Sequence, residues 1–204
     1  MQDRAAADRA DGSERLARAL SLILFAPVIA APAFLLLLER LRAPDPGGLA
    51  AECLVFATIW PSVSLYGLYR AGRVPTLFVE ERAARVLPFV LAIAGYLVGT
   101  AVLLATGAPV PLTSMMLCYA GNTTVFLVLS LRWKPSVHAS GAAGPATFLT
   151  LATGAPGALW FLLLVPAAWA RRRLGAHTWG EILVGAGLTV PLTAVQYLAY
   201  ARIL

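Results

Sequence analysis

The stretch from Lys134 to Glu181 decides the fold. It opens Lys134-Pro135-Ser136-Val137-His138, closes Arg171-Arg172-Arg173-Leu174-Gly175-Ala176-His177-Thr178-Trp179-Gly180-Glu181, and carries no charged residue in between. A transmembrane helix needs about 20 mainly apolar residues. The uncharged run is broken near its middle by Ala155-Pro156-Gly157, so it reads as two passes: a short, small-residue segment from Ser136 to about Thr153, with Gly141, Gly144 and Pro145, and a second from Ala158 to Ala170. Small residues permit close helix packing at the centre of a bundle. Two passes return the chain to its starting side, which puts His138 and His177 on one face. They are the chain's only histidines. Each stands beside cations at the end of an apolar run, and neither is placed for packing.

Working outward, the composition agrees. The chain is 59% hydrophobic and 13% charged, with a mean hydropathy of +0.77 over 204 residues. That is not a soluble composition. The expected fold is all-α: one polytopic transmembrane helix bundle of six to seven spans, with the site at one membrane face. The net charge of +6 belongs to arginines at the ends of apolar runs and forms no soluble basic face, so nucleic acid is not an expected partner and anionic lipid or phosphate is. Cys53 and Cys118 lie inside apolar runs away from any metal or redox spacing and read as packing residues.

Residues 1–15 mix charges with alanines and read as a polar, disordered tail. The domain proper is 16–204. Span one runs from about Leu16 to Leu38, too long for a signal peptide, with Pro27 and Pro32 as tolerated kinks. Span two covers about Leu49 to Tyr69, span three Leu87 to Thr106, span four Leu112 to Leu131 and span seven Glu181 to Tyr200. Between spans two and three lies the most charge-dense connection, Arg70 to Pro88, long enough to suggest function. Asn122, Thr123 and Thr124 fall mid-span and read as interhelical glue before cavity lining. Glu52 reads as interfacial or bonded to a neighbouring helix, and Arg70, Arg73, Arg172 and Arg173 as cations snorkelling to headgroups.

Crossing parity puts the Arg82 loop, Ser136 and His177 on the same face. Of the 16 Lys and Arg residues, 13 lie there, leaving Arg40, Arg42 and Arg202 opposite. By the positive-inside rule that face is cytoplasmic. The expected location is therefore a bacterial-type plasma membrane with the site on the inner side.

The two motifs resemble those of the type 2 phosphatidic acid phosphatase superfamily, membrane lipid phosphatases related to vanadium haloperoxidases. Their second motif reads Pro-Ser-Gly-His, matched by Pro135-Ser136-Val137-His138 with valine for glycine. Their third reads Arg, five residues, His, three residues, Asp, matched at full spacing by Arg171, His177 and Glu181 with glutamate for aspartate. The first, a lysine, six residues, then Arg-Pro, is absent. Its duties could fall to Arg82 and Arg85, which precede Pro88, or to Arg132 and Lys134 beside Ser136; Lys134 is the only lysine in the chain.

The resemblance implies metal-independent hydrolysis of a lipid phosphate or prenyl (di)phosphate at the bilayer surface, with no cofactor. His177 would be the nucleophile, forming a phosphohistidine. Glu181, four residues on, could accept the other imidazole N–H and fix its tautomer. His138 would be the general acid, later activating water. Ser136 and the backbone N–H groups after it could bind phosphate at a helix start, and Arg171 would supply a bidentate guanidinium. No Asp/Glu cluster suited to magnesium accompanies the histidines. The rivals are a phosphotransferase using the same intermediate and a non-catalytic lipid-binding or transport protein.

Overall fold

The computed structural model describes residues 2–204 except 44 and 80, with side chains described from residue 12 onward. Among the described residues every regular element is helical. The chain forms α1 (Gln2–Ile23), α2 (Ala26–Leu41), α3 (Pro46–Arg70), α4 (Ala83–Ala105), α5 (Val110–Ser130), α6 (Val137–Thr153), α7 (residues 155–173) and α8 (Trp179–Ile203). Four of these, α3, α4, α5 and α8, are long and apolar enough to cross a membrane, and a fifth crossing is available if α1 and α2 count as one bent span.

The first span departs from the sequence expectation. The run Leu16 to Leu38 is not one helix kinked at its prolines, because α1 and α2 meet at 52°. The break falls at Phe25, whose backbone is extended (φ −64, ψ 133) just ahead of Pro27. Proline lacks the N–H that would continue the ladder, and its ring suits a helix's first turn. Pro27 therefore starts a new helix, while Pro32 is accommodated inside it. Most of the expected polar tail, residues 1–11, lies outside the described side chains. Its last residues reach the bundle, where Ser13 accepts a hydrogen bond from Arg173 Nε at 2.8 Å and Glu14 lies 3.9 Å from the same guanidinium.

Helix α6 occupies the middle. From His138 to Leu149 it is buried at every position but Ser140, and it packs on α8, α2 and α7. Its alanines and glycines bring those neighbours close enough for backbone-level contact. One such approach is from Gly185 of α8, where an added Cβ would stand 2.5 Å from the Ser136 carbonyl oxygen. Any larger residue there would push α8 off the start of α6. A second buried layer joins α2, α3, α4 and α5 through Phe34, Leu37, Cys53, Leu103, Leu112 and Met116. Cys53 and Cys118 are free, buried packing residues, and Glu52 accepts from Thr106 Oγ1 at 3.0 Å, tying α3 to α4.

Candidate functional site

The third-motif segment is shaped by its helix cap. Gly175, in the left-handed region at φ +65, ends α7 and reverses the chain. The N–H groups of Ala176 and His177 then both reach the Arg171 carbonyl, at 3.1 and 3.3 Å. Thr178 caps α8: its hydroxyl accepts from Glu181 N at 3.2 Å while Glu181 Oε2 accepts from Thr178 N at 3.0 Å. This is a capping box, Thr-x-x-Glu. The same Oε2 takes the His177 Nδ1–H at 3.0 Å. The carboxylate thus orients the imidazole, but through a cap rather than through a shared helical face, because His177 precedes the helix. With Nδ1 donating, Nε2 is left with its lone pair.

The second-motif segment is spliced directly onto this one. Ser136 N donates to the Glu181 carbonyl at 2.9 Å, and Lys134 Nζ donates to the Ala176 carbonyl at 2.8 Å. Ser136 is fully buried and caps α6, its hydroxyl accepting from Ala139 N at 3.4 Å. Arg85, also buried, joins from the charge-dense loop: its Nε reaches the Val79 carbonyl at 2.9 Å and its Nη1 the Pro135 carbonyl at 3.0 Å. Val79 adopts φ +44, unusual for a β-branched residue, and that backbone turn presents its carbonyl to Arg85. Arg82 behaves differently. It is exposed and donates to the Arg132 carbonyl, outside the cluster.

His138 and Arg171 meet through residues that the sequence reading did not single out. His138 Nε2 lies 3.0 Å from the Ser21 carbonyl, so Nε2 carries the proton and Nδ1 is the nitrogen left for exchange. Ser21 Oγ also accepts from Arg171 Nη1 at 3.5 Å. Phe25 and Phe78 flank the His138 ring at 6.0 and 5.8 Å between centroids, and the Arg171 guanidinium lies 5.1 Å from the Phe78 ring. Nothing in the run around Ser21 marks it, since one serine in an apolar helix is common. Phe78 carried the better signal, as an aromatic inside a charged loop.

Arg171 is 1% exposed. A guanidinium so deeply placed is expensive unless its environment uses the charge. Arg172 and Arg173 are not simply snorkelling: Arg172 Nη1 donates to the His177 carbonyl at 3.2 Å, and Arg173 ties α7 to α1. His177 titrates far below the ordinary imidazole range, at about 4. Burial is the main cause. Arg85, Arg171 and Lys134 repel a further proton, while the Glu181 bond pulls the other way. His177 is therefore a neutral base at neutral pH.

Both histidines and Arg85 line one cavity, which continues between α2, α3, α4, α5 and α6 past Ala92, Cys118 and Gly144 to Tyr96, Tyr119, Met115 and Phe148. Asn122 serves as glue and as lining at once. Its amide bonds Thr193 Oγ1 at 2.9 Å and Gln196 Nε2 bonds its carbonyl oxygen at 2.9 Å, while its side chain borders the cavity. Thr123 and Thr193 border it too, and Thr124 bonds back to the Ala120 carbonyl of its own helix.

Of the candidate site residues, His177, Glu181, His138, Arg171, Ser136, Lys134 and Arg85 thus come together at one end of the bundle, and Arg82 stands apart. Compared with protein-family models, with curated proteins and with solved structures, the chain finds no match.

Proposed function

We infer that the protein is a membrane lipid-phosphate phosphatase working without a metal through a phosphohistidine. The observation that carries this reading is the splice of two distant motifs, in which the Ser136 N–H on the Glu181 carbonyl sets Pro-Ser-Val-His against Arg-x5-His-x3-Glu. A phosphate at the mouth of the cavity would meet Arg171, Arg85 and Lys134 around its oxygens and the N-terminus of α6. His177 Nε2 attacks phosphorus, the bond to the leaving oxygen breaks, and His138, protonated on Nδ1 as well as on Nε2 for this step, gives that oxygen its Nδ1 proton while Nε2–H stays on the Ser21 carbonyl. Water then attacks the phosphohistidine, His138 takes up its proton, and inorganic phosphate leaves with His177 neutral again. Glu181 steadies the positive charge that develops on the His177 ring. Six to seven crossings, with α6 as a short central pass and the site on the cytoplasmic face, accommodate this chemistry. So do crossing parity and the cation distribution.

The test is rapid quenching with radiolabelled lipid phosphate in excess EDTA. Wild type should form an acid-labile, base-stable phosphoenzyme and release inorganic phosphate. With an activated phenyl phosphate, which needs no leaving-group proton, His138→Ala should form the intermediate and hydrolyse it slowly. His177→Ala should form none. Transfer of label to an alcohol without phosphate release would make the protein a phosphotransferase. Loss of activity in EDTA that magnesium restores would refute the metal-free mechanism, and phosphoenzyme in His177→Ala would reverse the roles of the histidines.

A further inference from the structure

The cavity behind the histidines is deep and narrow, and its dimensions can be read from two helices independently. On α6, ten residues separate His138 at the mouth from Phe148 at the far end, which at 1.5 Å per residue is ~15 Å. On α4, eleven residues separate Arg85 from Tyr96, or ~16 Å. At the far end of α4 the Tyr96 ring centroid is 5.5 Å from that of Tyr119. Phe34 packs on the same tyrosine at 5.9 Å, and Phe148 packs edge-on against Tyr197 at 5.0 Å. Interlocked rings are stiff, and with Met115, 1% exposed, they close the cavity.

Volume gives the same answer as length. The cavity measures about 120 Å³, and at roughly 10–15 Å³ for each water-sized sphere it holds on the order of ten of them. An extended hydrocarbon advances about 1.3 Å per carbon, so ~15 Å takes about twelve, and 120 Å³ spread along that length leaves a cross-section of about 8 Å² for atom centres, a single file. One chain fills the space. A second has no room.

We propose that this cavity receives a single hydrocarbon chain of about ten to twelve carbons from the lipid phosphate, and that Phe148, Met115 and Tyr119 set the length limit. This rests on the reading of the histidine cluster as a phosphate site. The preferred substrates are then one-chain phosphates, alkyl or prenyl, over two-chain phosphatidic acid. The chain lies inside the bundle and the phosphate remains at the cations, so each buried methylene adds affinity until the aromatic floor is reached. Asn122 and Thr193 do not obstruct it, because their polar atoms bond to each other.

The experiment measures binding apart from turnover. n-Alkylphosphonates from butyl to hexadecyl are titrated against full-length protein in detergent, and hydrolysis of the matching alkyl phosphates is followed in parallel. Affinity should rise about fourfold per methylene and stop rising near decyl to dodecyl. Thr123→Phe, at a half-buried lining position nearer the mouth, should bring the break to shorter chains, and Phe148→Ala should move it to longer ones. Partition into detergent is common to all variants, so the shift of the break is the diagnostic. Should Phe148→Ala fail to fold, Thr123→Phe alone decides. An affinity that climbs through hexadecyl, or a break that Thr123→Phe leaves in place, overturns the proposal. Breaks that move as stated without any phosphate release would uphold the cavity assignment and defeat the hydrolase reading. Phosphate release with no length dependence would do the reverse.

Discussion

The protonation of His177 can be worked from its surroundings. Burial and the cations of Arg85, Arg171 and Lys134 bring its pKa from 6.5 to about 4, and one pKa unit corresponds to about 1.4 kcal/mol. The folded pKa lies below the unfolded one, so between pH 6.5 and 4 the unfolded chain binds a proton that the folded chain refuses. Stability must therefore fall as the pH drops through that window, by about 3 kcal/mol in total, and level off below it. The group is 3% exposed, so solvent screening takes little from that figure. Replacing His177 by Gln removes the titrating group while keeping an amide near Glu181. Thermal unfolding in detergent should then show the difference between wild type and His177→Gln changing by about 3 kcal/mol from pH 6.5 to 4. With only two histidines in the chain, ¹⁵N spectra of the imidazoles report the same event directly, and His138→Gln assigns them. In Glu181→Gln the single contribution that raises the pKa is gone, so His177 should titrate lower still. A His177 that titrates at or above 6.5, or a stability difference flat across the window, would refute the buried, cation-ringed environment on which the nucleophile assignment depends.

The cations differ in placement and should differ in effect. Arg85→Ala should lower turnover by roughly one to three orders of magnitude, as loss of a transition-state charge contact does, whereas Arg82→Ala, which gives up only an exposed bond to the Arg132 carbonyl, should stay within about threefold of wild type. Steady-state kinetics on both separates them, and equal losses would place Arg82 in the site after all. For orientation, a cysteine at Thr76 in the Arg70 to Pro88 loop should be shielded from an impermeant thiol reagent in right-side-out cells, and one at Gly47 should be labelled. The opposite pattern would put the site outside.

How far the sequence could be read depended on the kind of physics each element needs. Helices α4, α5 and α8 start and stop within a few residues of the expected spans, because apolar length against a turn of Pro and Gly is a local signal. The central position of α6 was legible for the same reason: a run of Ala and Gly between polar ends suits only a crowded environment. The break at Phe25 was not, since the apolar run continues through it unchanged and only backbone geometry separates α1 from α2. The pairing of His177 with Glu181 was legible as a spacing, and its cause is the helix cap. Thr178-x-x-Glu181 is a cap signature written in the chain, and it fixes the carboxylate whether or not the histidine is helical.

Arg82 and Arg85 show where such reading ends. Both precede Pro88 in the same loop, and sequence alone gives them equal claim to the missing first motif. What separates them is that the turn at Val79 and the Pro135 carbonyl offer two acceptors to Arg85 inside the bundle, while Arg82, three residues earlier, faces outward to Arg132. Ser21 is the converse case, an unmarked residue whose carbonyl and hydroxyl reach His138 and Arg171 across the bundle. Contacts of that kind arise from how whole helices pack, and so does the cavity. Its floor is made by rings on α2, α4, α5, α6 and α8 that no local pattern relates. The chemistry of the proposed phosphate site is an inference from short motifs, in which each group would have to meet the same few atoms. The length of chain such a site would accept is set by distances between helices, and those are properties of the packed bundle alone.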